Sequence, residues 1–465
     1  MQKKLTLLDG ILLVAGSMIG SGIFIVSADI ARNVGSAGYL LLAWVIAGAM
    51  TIMAAFSYGE LSALMPKAGG QYVYLREAYN PLVGFLYGWS LFLVIQTGTI
   101  AAVSVAFAKY TGVLFPFFSE KNIAFDLGLL KISRAQLLAI VVVVFLTWLN
   151  TRGLKGGSII QRVFTLAKLA ALFGLILIGF FCFDKNILAH NFGDMWNTSA
   201  RINPNNMGLF AAVGVSMVGT LFSSITWENV TFVSGEMENP TRNVARSMVL
   251  GTVLVTTIYL LANIVYLGVL PIDGKAAGTT VLERGIQFAE LDRVGTAAVS
   301  AMLGKIGVLV MAGLIMISTF GCDNGTILSG ARVYQVMAKD GVFFKQAGEL
   351  NNNGVPGKSL WIQCFWICLL CLSGTYNDLL DYVIFAVLIF YVLTVAGVFI
   401  LRRKLPNAER PYKAVGYPVL PALYILAALT IGIILLIYKP LYTWPGLLIV
   451  LSGIPVYYYF SRRNK

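Results

Sequence analysis

Two clusters interrupt apolar stretches of the chain where a bared backbone would be able to hold charge. Gly16 to Phe24 reads GSMIGSGIF inside a hydrophobic run from Leu5 to about Asn33, and Leu221 to Val230 reads LFSSITWENV inside a run from about Met207 to Glu236. Gly16, Gly20 and Gly22 crowd together with Ser17 and Ser21, and each glycine costs about 1 kcal/mol of helix propensity relative to alanine. That crowding favours unwinding over the close helix packing that Gly16-x-x-x-Gly20 alone would suggest. Unpaired peptide groups cost several kcal/mol each in hydrocarbon, so they persist only inside protein or against a wet cavity. An interrupted helix turns amides toward an anion and carbonyls toward a cation, which suits a solute bearing both charges, such as an amino acid. A nucleotide-binding loop is disfavoured, because no strand precedes the first cluster and no Gly-Lys-Ser/Thr follows it.

Lys168 is the most expensive residue in its surroundings, RVFTLAKLAALFGLILIGFF. It lies about 18 Å along a helix from the cytoplasmic start of its span near Gly156, beyond what its stem can bridge by snorkelling. It should face the bundle interior, where its ammonium requires carbonyl or hydroxyl oxygens. The same oxygens would otherwise hold Na⁺, so a fixed lysine can replace a coupling sodium ion; the other reading is a lysine that fills a wet crevice. Glu228, at the cytoplasmic edge of the second cluster, can exchange a proton or be neutralised by a basic partner that merely holds helices together. Phe222 and Trp227 flank that cluster and are read either as covers for a ligand or as packing groups. Asp9, Glu60 and Asp323 lie nearer to helix ends or polar clusters, which points to structural roles.

These groups need a membrane to position them. The 465 residues are 58% hydrophobic and 12% charged, with a mean hydropathy of +0.79, which excludes an ordinary soluble globule. Twelve stretches long enough to cross a bilayer fall near 6–33, 38–64, 81–111, 133–150, 156–183, 206–236, 243–271, 303–337, 358–375, 379–402, 419–438 and 443–461, giving one membrane domain and the lipid bilayer as a partner. The net charge of +13 does not point to nucleic acid. Lys3, Lys4, Lys67, Arg76, Arg152, Lys155, Arg242 and the block from Arg402 to Lys413 gather in loops on the side that holds both termini, and the positive-inside bias makes that side the cytoplasm. The amino terminus lacks the short apolar core and small-residue cleavage site of a secretory signal. Of the five cysteines, Cys368 and Cys371 form a CxxC within an apolar helix and read as packing groups. With one histidine, His190, in a polar connector, no metal or redox centre and no cofactor is expected.

If the two interrupted segments are equivalent, spans 1–5 and 6–10 form two halves of opposite orientation, an inverted repeat, because an odd number of crossings separates the interruptions. The external connector from Asp273 to Lys305 contains TTVLERGIQFAELD, whose pattern predicts an amphipathic helix that lies over the surface or acts as a lid.

The chain resembles the amino acid-polyamine-organocation superfamily, and within it the L-amino acid transporter branch. The resemblance rests on GSMIGSGIF, on YGELSALMPKAGGQYVYLREAYNPLVGFLYGW from Tyr58 to Trp89, on GEMENPTRNVARS from Gly235 to Ser247, on STFGCDNG from Ser318 to Gly325, and on RRKLPNAERPYKAVGYPVLP from Arg402 to Pro421. It implies an all-α bundle of 12 transmembrane helices, a 5+5 inverted repeat (5–183 and 206–403) with discontinuous helices 1 and 6, plus two peripheral helices (419–461). It implies further that a substrate carboxylate meets Ser17, Gly20, Ser21 and Gly22, that its ammonium meets carbonyls of Met18, Phe222, Ser223 and Ile225, and that Phe222 is an aromatic gate. Lys168 falls where several sodium-independent members carry a lysine at a lost sodium site, with Ser318 and Thr319 as nearby oxygen donors, and Glu228 falls at an acidic position implicated in proton sensing. One departure stands out: where the family often has glycine, this chain has Ser223, Ser224, Ile225 and Thr226, and the stiff β-branched pair narrows the space for a large aromatic side chain.

The expected function is therefore sodium-independent transport of neutral L-amino acids by alternating access, as exchanger or proton-coupled symporter, in a plasma membrane with both termini cytoplasmic. The expected partners are a small-molecule substrate, a small or medium neutral amino acid, and protons where uptake is proton-coupled, with no enzymatic activity. A carrier of cationic amino acids or polyamines is the nearest alternative, with Glu228 the one acidic residue placed to serve it. A membrane sensor that binds amino acids without moving them is the alternative from another class. A channel is disfavoured, since no charge ring or repeated filter is visible.

Overall fold

Capping chemistry starts the first helix and glycine ends its continuation. In the computed structural model, which describes residues 5–66, 69–126, 131–153, 157–202, 207–373 and 376–463, α1 (Leu7–Met18) begins where Thr6 and Asp9 form a reciprocal capping box. After Met18 the helix is interrupted and resumes as α2 (Gly22–Ile25) and α3 (Ser27–Val34). Gly35, at φ 59°, closes α3 in the left-handed conformation that glycine adopts without strain. α4 (Ala37–Leu64) starts on Ser36, α5 (Gln71–Ala78) is short, and α6 (Pro81–Ser90) starts on Asn80 with Pro81 in its first turn. α6 runs through a wider turn at Leu91–Ile95 into α7 (Gln96–Leu114). Side chains claim the carbonyls there: Thr97 donates to Phe92 at 2.8 Å, the Trp366 indole to Leu93 at 2.7 Å and Tyr334 to Leu91 at 3.3 Å.

An antiparallel hairpin of β1 (Ile123–Asp126) and β2 (Lys131–Ser133) leads into α8 (Arg134–Thr151). There follow α9 (Gly157–Phe181), α10 (Lys185–Phe192), α11 (Leu209–Ser223), α12 (Asn229–Phe232), α13 (Pro240–Val269), α14 (Val281–Arg284), α15 (Val294–Lys339), α16 (Gly357–Ser373), α17 (Tyr376–Lys404), α18 (Val419–Tyr438) and α19 (Pro440–Arg463). Among the described residues ten helices, one of them the α1–α2 pair, are long and apolar enough to cross a membrane, and α11 and α16 are shorter apolar helices. The protein is a multi-pass membrane protein. Each of the twelve apolar stretches read from the sequence holds a helix or an interrupted helix, although the limits near 156, 206 and 375 lie outside the described residues, as do Lys3, Lys4, Lys67 and Lys155.

α1 sits at the centre, packed against α13, α9 and α15, while α11 packs against α3, α4, α17 and α18. Gly251 makes the α1–α13 approach possible, because a Cβ there would collide with Val14. The outer helices α18 and α19 turn Leu426, Ile433, Ile437 and Leu448 outward, as a surface facing lipid requires.

Two elements differ from the sequence expectation. The segment from Thr279 to Asp292 is not one amphipathic helix: α14 ends after one turn at Gly285, where φ is 56°, and Leu291 and Asp292 also have positive φ. The positive-φ reversal at Gly285 outweighs the apolar periodicity. The eighth stretch starts earlier than 303, because Val294–Leu303 forms a helical arm that meets the rest of α15 at Gly304 (φ 63°, ψ −153°); its small residues, VGTAAVSAM, resemble a connector in composition.

Near the end of α4, Glu60 is 2% exposed. It accepts from Arg402 at 2.8 and 2.6 Å and from the Ala414 amide at 2.7 Å, and lies 3.2 Å from Arg410. One carboxylate thus ties α4 to the end of α17 and to the basic connector beyond it, which gives the structural role read for Glu60 a specific partner set. Glu60→Ala should lower stability by about 3–5 kcal/mol, because it leaves buried guanidinium charge unpaired. Unfolding of the purified protein in detergent, in a double-mutant cycle with Arg402→Ala, should reveal coupling of more than about 0.5 kcal/mol; strict additivity would contradict the tie.

Candidate functional site

The interruption after α1 exposes the carbonyls of Gly16, Ser17, Met18 and Ile19, and side-chain donors from other segments meet all four. Lys168 Nζ, on α9, donates to Gly16 O at 2.7 Å and to Ile19 O at 2.9 Å. Thr226 Oγ1 donates to Ser17 O at 2.8 Å, and Cys322 Sγ on α15 lies 3.2 Å from the same oxygen. Tyr259 on α13 reaches Met18 O at 3.0 Å, and Ser318 Oγ reaches Ile19 O at 3.2 Å. A carbonyl of an ended helix has no partner of its own, so these side chains are what allow the chain to unwind inside the bundle. Gly20 sits beside Cys322 and Val103, and Gly22 is pressed against Ser223, where a Cβ would collide. Ser21 is fully buried. The hydroxyl of Ser17, 3% exposed, has no protein partner among the described residues.

The second interruption spans 224–228, between α11 and α12. Ser223 and Ser224 turn their hydroxyls back to Gly219 O and Thr220 O, at 2.8 Å each. Thr226 holds φ 69°, a left-handed conformation that costs a β-branched residue roughly 1–2 kcal/mol. Its hydroxyl lies 2.8 Å from Ser17 O and 2.6 Å from Ile225 O, so the bond across to the first interruption accompanies the strain. Tyr259 also lies 3.1 Å from Ser223 O. A hydroxyl has one proton, so Tyr259 donates to Met18 O or to Ser223 O at a time; Met18 O also accepts from the Gly20 amide at 2.8 Å, and the carbonyl that Tyr259 leaves has a lone pair for a further donor. Phe222 and Ile225 are buried here, and Ile225 lines a cavity of about 10 Å³ together with Ser224, Tyr391 and Tyr424, room for about one water molecule.

Lys168 is 1% exposed and finds its third acceptor in Ser318 O at 3.3 Å. The three ammonium protons therefore meet three carbonyls, the ligand type a hard monovalent cation would take. Ser318 joins this set through both its carbonyl and its hydroxyl. Thr319, expected beside it, turns back instead: its hydroxyl donates to Ile315 O at 2.9 Å and Met316 O at 3.1 Å of its own helix. Asp323, 1% exposed, accepts from Ser104 on α7 at 2.7 Å.

Glu228 stands apart from this carbonyl cluster. It is 5% exposed, makes no salt bridge among the described residues, and its Oε2 has no protein partner. Trp227 beside it packs with Tyr58 and Tyr391, at ring separations of 4.8 and 5.7 Å. No basic residue neutralises Glu228 there. Among the described residues no group of three or more His, Cys, Asp or Glu is placed to hold a metal ion.

Tyr259, Cys322 and the hydroxyl bond of Thr226 were not legible as site residues: Tyr259 lies in TVLVTTIYLLANIVYLGV with no local pattern to single it out. Removing either hydroxyl takes one donor from a buried carbonyl that keeps another, the Cys322 thiol at Ser17 O and the Gly20 amide at Met18 O, so Tyr259→Phe and Thr226→Val should each cost about 0.5–1.5 kcal/mol of stability, while Thr226→Ser should stay near wild type. Thermal unfolding of the purified protein tests this; a Val variant as stable as wild type would show that the bond to Ser17 O contributes nothing.

A model of the family described as amino acid permease matches residues 5–457. The chain is 28% identical over 469 residues to the large neutral amino acids transporter small subunit 2 of Homo sapiens, covering 100% of this chain and 82% of that protein. It is 29% identical over 468 residues to the serine/threonine exchanger SteT of Bacillus subtilis (strain 168), covering 100% and 98%. It is 27% identical over 466 residues to the human cystine/glutamate transporter, covering 100% and 86%. A match that runs almost from end to end, over a bundle whose two interrupted helices meet through their own carbonyls, makes this chain a member of the amino acid permease family, a membrane protein of amino acid transport and not an enzyme.

Proposed function

We propose that the protein carries neutral L-amino acids across the plasma membrane without sodium, by alternating access, either exchanging one amino acid for another or taking up a proton with each. In this reading all twelve apolar stretches span the bilayer with both termini cytoplasmic. Residues 5–183 and 206–403 are the two inverted halves, and 419–461 form the peripheral pair. The interruption in the first span of each half supports that arrangement.

One observation carries the binding site. At the meeting point of the two interruptions Ser17 keeps a buried hydroxyl without a protein partner, next to carbonyls that share single-proton donors. A zwitterion complements both: its carboxylate takes Ser17 and the peptide groups of Gly20, Ser21 and Gly22, and its ammonium takes whichever of Met18 O and Ser223 O Tyr259 leaves free, with Phe222 and Ile225 bordering the space. The contact of Gly22 with Ser223 and the stiffness of Ile225 and Thr226 favour small side chains. The name of the Bacillus relative, a serine/threonine exchanger, is in keeping with that preference.

Lys168 supplies a permanent cation where a sodium-coupled carrier would need an ion, since its ammonium already occupies the carbonyls of Gly16, Ile19 and Ser318. Glu228, without a basic partner, is the group available to a proton. The unpaired carboxylate oxygen also keeps the cationic-substrate alternative open to trial, and competition by arginine or putrescine separates the two.

Reconstitution in proteoliposomes, with a panel of amino acids inside and outside and with or without a pH gradient, tests the whole reading. Uptake of the neutral amino acids should be unchanged when sodium is replaced by potassium or choline, and Lys168→Ala should lower turnover at least about tenfold, the cost of leaving buried carbonyls unmet; sodium-dependent wild-type flux would end the substitution argument. If a proton travels with the substrate, wild-type uptake should rise as the external pH falls and Glu228→Gln should flatten that profile. A profile that survives the substitution would remove Glu228 from coupling.

A further inference from the structure

Outside the carbonyl cluster, a cleft of about 420 Å³ opens between the outer end of α7, the connector around α14 and the helical arm Val294–Leu303 of α15. Its polar lining is lopsided. Arg284, Arg293, Thr296 and Ser300 face it with a single acidic side chain, Glu290. Arg284 donates to Gly278 O at 2.7 Å and lies 3.9 Å from Glu290, which also meets Lys121 at 3.3 Å. Arg293 is different: it has no salt bridge among the described residues, and its Nε is buried with no partner. Thr296, 8% exposed, likewise has a buried hydroxyl without a partner.

Three further features give this corner a preference for negative charge. Arg293 caps the arm, so the amides of Val294, Gly295 and Thr296 have no intrahelical acceptor and the arm's positive end points into the cleft. Arg293 and Thr296 are three residues apart at that end and share one face. Lys109, 7% exposed, lies one turn below Gly112 and Val113, which line the cleft from α7, and its nearest carboxylate, Glu120, is 3.9 Å away. A half-buried guanidinium whose buried Nε has nothing to bind, next to a buried hydroxyl in the same condition, is costly, and a bound anion would relieve that cost.

We propose that this cleft is an external binding site for the carboxylate of a small amino acid, separate from the site between the interruptions. Arg293 and Thr296 hold the carboxylate over the first turn of the arm, and Glu290 at the exposed rim faces the ammonium. Its weak, solvent-screened ties to Lys121 and Arg284 are easily exchanged for one to a ligand. Choosing an amino acid rather than another anion rests on the transport reading above; the anion preference does not.

The test is equilibrium binding of radiolabelled L-serine to the full-length protein in nanodiscs of phosphatidylcholine alone, which removes anionic headgroups as competitors. Wild type should show two components. Arg293→Gln and Thr296→Val should each weaken one of them by at least about tenfold, the loss expected for one hydrogen bond to a charged group, and leave the other untouched. L-serinamide, which lacks the carboxylate, should fail to displace serine from the affected component. The persistence of the other component shows that each variant is folded, and should Arg293→Gln lose both, Thr296→Val decides. If the reading of the central site is wrong, the component insensitive to these variants is missing while the Arg293-dependent one remains. A binding curve unchanged by Thr296→Val, or equal displacement by serinamide, would overturn the proposal, and displacement by inorganic phosphate at the same concentration as by serine would overturn the choice of an amino acid.

Discussion

Four carbonyls without helical partners, at Gly16 to Ile19, are the constraint on which this structure turns. In the middle of a hydrocarbon layer they would be too costly to leave bare. The fold meets the cost with side chains from four other segments: Lys168 from α9, Thr226 from the second interruption, Tyr259 from α13, and Ser318 with Cys322 from α15. Each of those helices packs directly on α1 or on the segment that meets it. The bundle is therefore organised around a defect in its central helix.

The same bonds bind the defect to its surroundings. Thr226 and Tyr259 each touch oxygens of both interruptions, and Lys168 spans from the first interruption to α15. A displacement of α1 against α11, of the sort the proposed transport cycle needs, must break or exchange at least one of these contacts, and a solute with a carboxylate and an ammonium can supply replacements. Thr226 adds a strained left-handed residue at the point of exchange, consistent with a segment that has more than one arrangement. Away from the centre the structure is tied more conventionally, with Glu60 clamping α4 to the basic connector after α17.

What could be read in advance follows from where the physical signal is local. Glycine and serine crowding at 16–22 and the polar run at 223–228 are local, and both interruptions are where that composition places them. The cost of Lys168 is local too, since the apolar stretch around it advertises it. The partners are not local. Tyr259 and Cys322 sit in apolar helices, where such residues ordinarily pack, and only the fold brings them to Met18 and Ser17. Thr319 looked equivalent to Ser318, but adjacent helical residues point about 100° apart, so one reaches the cluster and the other its own helix. The connector from Thr279 to Asp292 had the right periodicity for a helix, yet backbone reversals at Gly285 and Leu291 break it, and periodicity does not register such reversals.

The central claim is that the two interruptions together recognise both charges of an amino acid. It is tested most directly by inhibition of exchange in proteoliposomes with three matched compounds: an accepted amino acid, its methyl ester, and its des-amino acid. The account predicts that only the zwitterion competes at concentrations near its own half-saturation, with each analogue at least about tenfold weaker because one end of the site is left unmet. Equal competition by the ester or by the des-amino acid would contradict it.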